Sequence, residues 1–309
     1  MYRRFYGLQE QPFSLRADPQ FFFLGKQYAS AKTMLDYAAL RREGISVITG
    51  ETGCGKSMLV RAFLADAPDN LVLGAISNPA LLEDSPIHGV NLAFRLDPGG
   101  AQTVQLHADL HGFLRNKYAA GRAVMLIVDE AQHLSPVTLE RLRMLTNPEA
   151  DGEGALQLVL VGQSQLRHTL NHPQLNQLHQ RVLVSLHLEP LNEDDTLAYI
   201  LHRLQTAGAE RRIFTDAALA AVYRGSRGVP RLINMICDMA LLYGYAEEMP
   251  VIDEEVIDQV IADRGLGGSD PAMLPSSLDA APHDEVAPRR QVDDPDMVHG
   301  MFGVPGGKK

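Results

Sequence analysis

The sequence predicts an α/β fold in which a parallel five-stranded sheet is flanked by helices, followed by a small all-helical domain and a disordered tail. Short apolar runs alternate with helical segments up to about Pro190, which is typical of a parallel sheet covered on both faces. Helical periodicity then continues without strand-like runs. Beyond Gly265 the composition turns to Gly, Pro, Ser, Asp and Ala, which predicts disorder.

The elements follow from this pattern in chain order. An aromatic-rich and Pro-rich opening from Phe5 to Phe23 predicts an irregular strap with buried rings. Strands are predicted at Ile45–Thr49, Leu71–Ile76, Ala123–Val128, Leu156–Val161 and Val182–Leu188, with helices at Tyr28–Arg42, Lys56–Ala65, Thr103–Ala120 and Pro136–Leu145. Further helices are predicted at Glu193–Ala207, Thr215–Arg224, Val229–Tyr245 and Asp253–Ala262, with Thr215 and Asp253 as N-caps. We therefore predict a strap at 1–27, an α/β domain at 28–190, a helical lid at 191–264 and a disordered tail at 265–309.

Charge and composition narrow the classes of partner. A formal net charge of −10 repels phosphate backbones at long range and disfavours DNA as the main partner. A local basic patch stays open, formed from Arg3, Arg4, Arg41, Arg42, Arg115 and Lys117. Two cysteines give neither a disulfide framework nor a zinc spacing, and no apolar run suggests a signal peptide or a membrane span. We expect a cytoplasmic protein.

A phosphate-binding motif follows the first predicted strand. The segment Gly50–Ser57 fits the pattern G-x-x-x-x-G-K-[ST] between an apolar strand and a helix, the context that this motif requires. Its glycines permit close approach of backbone N–H groups to phosphates, Lys56 reaches the β- and γ-phosphates, and the Ser57 hydroxyl ligates Mg²⁺. The residues predicted to bind ATP here are Gly50, Glu51, Thr52, Gly53, Cys54, Gly55, Lys56, Ser57 and Met58.

Two acids end the most apolar strand. Asp129 and Glu130 directly follow Ala123–Val128, at the sheet edge where ligands of α/β proteins bind. Asp129 is predicted to join Ser57 in holding Mg²⁺, and Glu130 to orient the attacking water. This pair extends the prediction from nucleotide binding to ATP hydrolysis. Gln132 and His133 follow at once, and a turn with a helix entry explains them at least as well as a role in sensing.

Three further polar residues stand at informative positions. Gln163, just past the fourth strand, is a candidate to sense the γ-phosphate or to hold the attacking water, with a polar loop residue as the alternative. Arg181 precedes the fifth strand and is a candidate for reaching a neighbouring subunit's nucleotide, with a surface ion pair as the alternative. Arg231 opens a lid helix, where a cation could fold onto the γ-phosphate and couple nucleotide state to lid closure.

Together these motifs resemble an AAA+ ATPase, and more narrowly the ExeA, or general secretion pathway protein A, family. The narrower resemblance spans about residues 1–264 and rests on Phe5–Leu8, Gln11–Leu15, Asp18–Pro19, Asp129–Gln132, Leu160–Gln163 and Gly228–Asn234. It implies an oligomeric ATPase that helps to assemble a type II secretion, type IV pilus or export system, in contact with inner-membrane components. ExeA-type proteins carry a membrane span and a peptidoglycan-binding domain after the ATPase. The short polar tail here looks closer to the soluble, MshM-like members of export loci.

Two other functions remain open from the residues. Transposition regulators share this core architecture, so a DNA-bound ATPase is one alternative, which predicts a basic channel and salt-sensitive binding. A nucleotide-gated switch with very slow turnover is the other. Glu130 argues against the switch, because a pure switch does not need a residue that activates water.

Overall fold

A computed structural model describes residues 1–41, 44–96, 102–147 and 155–265 of the chain. The five predicted strands are present and form one parallel sheet of order β2-β3-β4-β1-β5. Their bounds are Ile45–Gly50 (β1), Leu71–Ile76 (β2), Ala123–Val128 (β3), Leu156–Gly162 (β4) and Val182–Leu188 (β5). The part of the predicted disordered tail that follows Gly265 lies outside the described residues. Arg42, at the end of the first predicted helix, lies outside them as well.

Helices flank the sheet and, with an isolated parallel bridge between Phe214 and Ile252, form the regular structure of the C-terminal part described. They are α1 (Tyr2–Tyr6), α2 (Lys26–Arg41), α3 (Lys56–Ala65), α4 (Ala80–Glu83), α5 (Pro86–Ala93), α6 (Thr103–Ala119), α7 (Pro136–Leu145), α8 (Ser164–Leu170), α9 (Asn176–His179), α10 (Glu193–Thr206), α11 (Asp216–Ser226), α12 (Pro230–Ala246) and α13 (Glu254–Asp263). The N-caps at Thr215 and Asp253 are confirmed, since their side chains accept hydrogen bonds from the N–H groups of Ala218 and Val256 at 3.1 and 3.2 Å. No helix among the described residues combines the length and apolar character that crossing a membrane requires.

The sheet separates two hydrophobic cores. Strand side chains alternate between them: Met125 and Ile127 of β3 join one core, and Leu126 and Val128 join the other. The second core is closed by α5, α6 and α7. The first core is larger, because it also takes in the strap and the lid helices α10–α13. One face of the sheet, the strap and the lid therefore share a continuous apolar interior.

The strap lies across both the lid and the α/β part. Its rings are buried as predicted, with Tyr6, Phe13 and Phe21 each at most 4% exposed. Near its start, the N–H of Gln9 donates to the carbonyl of Ala207 in the lid at 2.8 Å. Further on, Arg61 of α3 donates to the carbonyl of Ala17 at 3.0 Å. The strap thereby connects the lid to helix α3 of the α/β part.

A close backbone contact joins the last strand to the lid. After β5, the N–H of Leu191 donates to the carbonyl of Gly228 at 2.8 Å. Gly228 has a φ of +75°, and a Cβ placed there would lie 1.8 Å from the carbonyl oxygen of Leu191. Both the backbone conformation and the space require glycine at this position.

We therefore expect Gly228→Ala to destabilise the protein by about 3 kcal/mol, since it adds a positive-φ strain to a backbone clash. Denaturant unfolding measures this. Gly112→Ala is the matched control, because a methyl group added to Gly112 of α6 would have no neighbouring atom within 4 Å, and helix propensity favours alanine there by about 0.5–1 kcal/mol. Equal stability of the two variants would contradict the contact.

Candidate functional site

Three neighbouring strands deliver the three sequence motifs to one edge of the sheet. β4 lies between β3 and β1, with Val128 paired to Leu160 and Thr49 paired to Gly162. The phosphate loop follows β1, the two acids follow β3, and Gln163 follows β4. Because parallel strands end at the same edge, residues that are far apart in sequence meet there.

The phosphate loop has the backbone that close approach to an anion requires. Gly53 and Gly55 both have φ +85°, and a Cβ on Gly53 would lie 2.8 Å from the Cβ of Arg231. The Lys56 ammonium donates to the carbonyls of Gly50 and Glu51 at 2.8 and 3.0 Å. Burial lowers the pKa of Lys56, and the acids nearby oppose that shift. A phosphate would provide this buried cation with a counter-charge.

Asp129 and Ser57 provide adjacent oxygen ligands. The Ser57 hydroxyl donates to Oδ2 of Asp129 at 3.3 Å, and the N–H of Glu130 donates to Oδ1 at 2.9 Å. Burial raises the pKa of Asp129. A carboxylate and a hydroxyl beside a phosphate site are the hard oxygen donors that Mg²⁺ takes together with substrate phosphates, so this pair fits the predicted metal.

Glu130 is held by a residue that the sequence analysis left undecided. Glu130 has φ +52°, a left-handed conformation that is uncommon for a non-glycine residue. The side-chain NH₂ of Gln132 donates to Oε2 of Glu130. The Oε1 of Gln132 accepts a hydrogen bond from the N–H of Gln163 at 3.0 Å. Gln132 therefore links the loop after β3 to the loop after β4. His133 lies farther out, 4.0 Å from the Glu130 carboxylate.

The site opens into a cleft of about 850 Å³ between the phosphate loop, the strap and the lid. Its walls include Leu15, Phe21, Phe22 and Phe23 of the strap, Tyr28, Lys56 and Ser57, Glu130 and Gln163, and Tyr199, Arg203, Arg231 and Asn234 of the lid. The N–H of Arg231 donates to the carbonyl of Gly53 at 3.2 Å, so the start of α12 contacts the phosphate loop directly. A cleft of this size suits a nucleotide.

Arg181 lies elsewhere in its own chain. Its carbonyl accepts a hydrogen bond from the N–H of Ile45 at 3.1 Å, at the amino end of β1. The cleft lies at the carboxyl ends of the strands, so Arg181 is at the opposite edge of the sheet. Any action of Arg181 on a nucleotide therefore requires a second subunit.

Cys54, inside the phosphate loop, is fully buried, and burial raises its pKa to about 11. A neutral, covered thiol is a poor nucleophile, so the burial of Cys54 argues against redox chemistry at this position.

The basic residues considered for DNA binding are spread over two sides of the sheet. Arg3 and Arg4 lie on α1, which packs against α12 of the lid. Arg115 and Lys117 lie on α6, which closes the core on the other face. These two groups therefore do not form one patch.

The comparisons with known proteins agree with this geometry. Residues 39–170 match the AAA domain family. General secretion pathway protein A of Aeromonas hydrophila is 40% identical over 247 residues, which cover 80% of this chain and 45% of that protein. This chain thus spans less than half the length of that relative.

Solved structures share the fold at low sequence identity. The Cdc6p of Pyrobaculum aerophilum is 18% identical with a TM-score of 0.64, over 85% of this chain and 74% of that one. The ORC2 protein of Aeropyrum pernix, solved as ADPNP–ADP complexes, is 16% identical with a TM-score of 0.63, over 82% and 72% of the two chains. The AAA+ fold expected from the sequence is confirmed.

We expect Gln132→Ala to slow ATP turnover about 10-fold without weakening ATP binding, because Glu130 loses the partner that fixes its carboxylate. Steady-state turnover and equilibrium binding measure the two effects separately. Gln165→Ala is the matched control, since Gln165 is an exposed residue of α8. Turnover equal to that of the control would show that Gln132 does not position Glu130.

Proposed function

We propose that this chain is an AAA+ ATPase of the general secretion pathway protein A type, which binds ATP with Mg²⁺, hydrolyses it, and uses the turnover to drive assembly of a secretion, type IV pilus or export apparatus. One observation supports hydrolysis above all. The parallel strands β1 and β3, with β4 between them, bring Lys56, Ser57, Asp129 and Glu130 together at one edge of the sheet, beside a nucleotide-sized cleft.

Each of these residues has a distinct part in the proposed reaction. The loop N–H groups and Lys56 hold the β- and γ-phosphates, where the Lys56 ammonium exchanges its two carbonyl partners for phosphate oxygens. Ser57 and Asp129 would hold Mg²⁺, and the ion would supply positive charge to neutralise charge that develops on the phosphates. Glu130 accepts a proton from the attacking water, and Gln132 keeps its carboxylate in place. Gln163 faces the same cleft as a γ-phosphate sensor.

The lid and a neighbouring subunit complete the proposed cycle. Arg231 lies at the start of α12 and lines the cleft, so a change at the γ-phosphate would pass directly into the lid. Arg181 would act on the nucleotide of the next subunit in a homo-oligomer, since it lies away from its own cleft. Hydrolysis and lid position would then be coupled between subunits.

The proposed apparatus and partners are inferred from the name of the relative. General secretion pathway protein A is named for a secretion pathway, and we propose inner-membrane components of such a system as partners, with this chain acting in the cytoplasm at the membrane periphery. DNA is the less favoured partner, because the net charge is −10 and the basic residues of α1 and α6 lie on different sides of the sheet. A slow switch is also less favoured, since Glu130 is present and held in place.

Two variants test the proposal, one for ATP binding and one for turnover. Lys56→Ala should abolish tight ATP binding, because it removes the buried cation of the phosphate loop. Glu130→Gln should keep ATP binding and lower turnover about 100-fold or more, because it removes the proton acceptor. Isothermal titration and phosphate release separate these effects. Unchanged binding by Lys56→Ala would refute the phosphate site, and unchanged turnover by Glu130→Gln would refute the role of that carboxylate.

Arg181→Ala should reduce turnover only where subunits associate, so the wild-type rate per subunit should rise with protein concentration while the variant's stays flat. A loss of about 10³-fold is typical of such an arginine. Arg115→Ala, an exposed arginine of α6, is the control. A defect of Arg181→Ala in dilute monomer would contradict the role in a neighbouring site. Turnover stimulated by duplex DNA and weakened by salt would favour the DNA-bound alternative.

A further inference from the structure

A chain of buried hydrogen bonds runs through the lid wall of the cleft. The Arg203 guanidinium donates to the hydroxyl of Tyr199 at 2.8 Å, and that hydroxyl donates to Oδ1 of Asn234 at 2.9 Å. All three side chains are nearly covered, with 2%, 7% and 6% exposure. None of them belongs to the phosphate loop or to the acids after β3.

The far end of this chain is fixed by the strap. Arg203 also donates to the carbonyls of Pro12 and Ser14, and its guanidinium lies over the Phe21 ring, 5.1 Å from the ring centre. These contacts leave Arg203 little freedom to turn away from Tyr199. Burial raises the pKa of Tyr199, against the influence of Arg203, so the hydroxyl keeps the proton that it donates.

This arrangement determines which atom of the Asn234 amide bonds to Tyr199 and which one can bond to a ligand in the cleft. A guanidinium only donates, so the Tyr199 oxygen must accept from Arg203. The single proton of Tyr199 must then go to Asn234, which has to present its oxygen there. The orientation of an amide is often ambiguous, but here the network sets it. The remaining group of Asn234 is the NH₂, a donor of two hydrogen bonds.

Position along α12 indicates what this donor would meet. Arg231 contacts the phosphate loop through its backbone, and Asn234 is three residues farther along the same helix, about 4.5 Å in rise. Residues three apart lie on one helix face, and both of these line the cleft. The walls of the cleft also include the rings of Phe21, Phe22 and Tyr28. Asn234 therefore lies three residues beyond the contact with the phosphate loop, in a cleft with aromatic walls, where it could meet the base of a nucleotide bound by its phosphates at that loop.

We propose that the Nδ2 amide of Asn234 donates a hydrogen bond to an unprotonated ring nitrogen of adenine, and that Tyr199 and Arg203 are positioning residues that hold the amide in that orientation. The proposal rests on the ATP binding proposed above and adds a determinant of base recognition to it. It also gives the strap a part in base recognition, because strap carbonyls accept hydrogen bonds from the Arg203 guanidinium and thereby fix the far end of this hydrogen-bond chain.

The first test needs no mutation. Binding of ATP, 1-deaza-ATP, 3-deaza-ATP and 7-deaza-ATP to the wild-type protein is compared by competition against a fluorescent ADP. Each analogue replaces one ring nitrogen by C–H and leaves the phosphates unchanged. One analogue should bind about threefold to tenfold more weakly than ATP, the loss expected for one neutral hydrogen bond. Equal affinity for ATP and all three analogues would overturn the proposal.

The second test assigns the donor. In Asn234→Leu, ATP should bind as weakly as the affected analogue does to the wild type, and the difference between the two ligands should disappear. Asn234→Asp should bind ATP more weakly still, because an acceptor then faces the ring nitrogen. Tyr199→Phe, which leaves Asn234 in place but frees its amide to turn, should reduce the difference between ligands. A structural role alone would weaken all four ligands equally.

Asn116→Leu is the matched control, because Asn116 is an exposed residue in the last turn of α6. It should bind the four ligands as the wild type does. A difference between ATP and the affected analogue that persists in folded Asn234→Leu would overturn the proposal, and thermal melting establishes that the variant is folded. Failure of the wild type to bind ATP would overturn the proposed function and this inference together. ATP binding that depends on Lys56 but is indifferent to every ring nitrogen would overturn this inference alone.

Discussion

Parallel strands all end at the same edge of their sheet, and the arrangement of the cleft depends on this constraint. β4 lies between β1 and β3, so the loops after these strands are neighbours although they are separated by long stretches of chain. β3 is buried along its whole length, so a charged side chain first occurs at Asp129, just beyond Val128. The acids and the lysine are thus held at the margin of an apolar core. Burial lowers the pKa of Lys56 and raises that of Asp129, so both gain from a ligand that brings phosphate and metal charges.

The other side of the cleft depends on the strap. Arg203 is a cation only 2% exposed, and its hydrogen bonds go to strap carbonyls and to Tyr199. A buried guanidinium left without such partners is costly, so the lid helix α10 and the strap stabilise each other's position. The same contacts set the polarity of the lid wall as far as Asn234. In the proposed binding mode, the phosphates would face a wall determined by strand direction, and the base would face a wall determined by a buried arginine.

Elements with a repeating or apolar local pattern could be predicted from the sequence. Contacts between side chains of different segments could not. Ala123–Val128 is apolar throughout and ends in two acids, so both the strand and its charged end were predictable. The helix Tyr2–Tyr6 has only five residues, too few for a helical period to show, and its segment was predicted to be irregular beyond Phe5. The hydrogen bond from Gln132 to Glu130 forms where Glu130 has a left-handed backbone conformation, which no local sequence pattern indicates. Asn234 acquires its orientation from Tyr199, 35 residues earlier, so its motif alone does not reveal a donor.

The most direct test of this arrangement is a structure of the protein with Mg²⁺ and a non-hydrolysable ATP analogue. We predict the γ-phosphate beside Lys56, the metal on Ser57 and the Asp129 side, and the base between the strap and α12 with a ring nitrogen at the Asn234 amide. Nucleotide bound with its phosphates away from the loop at Gly50–Ser57, or with its base outside the strap and lid walls, would contradict these assignments.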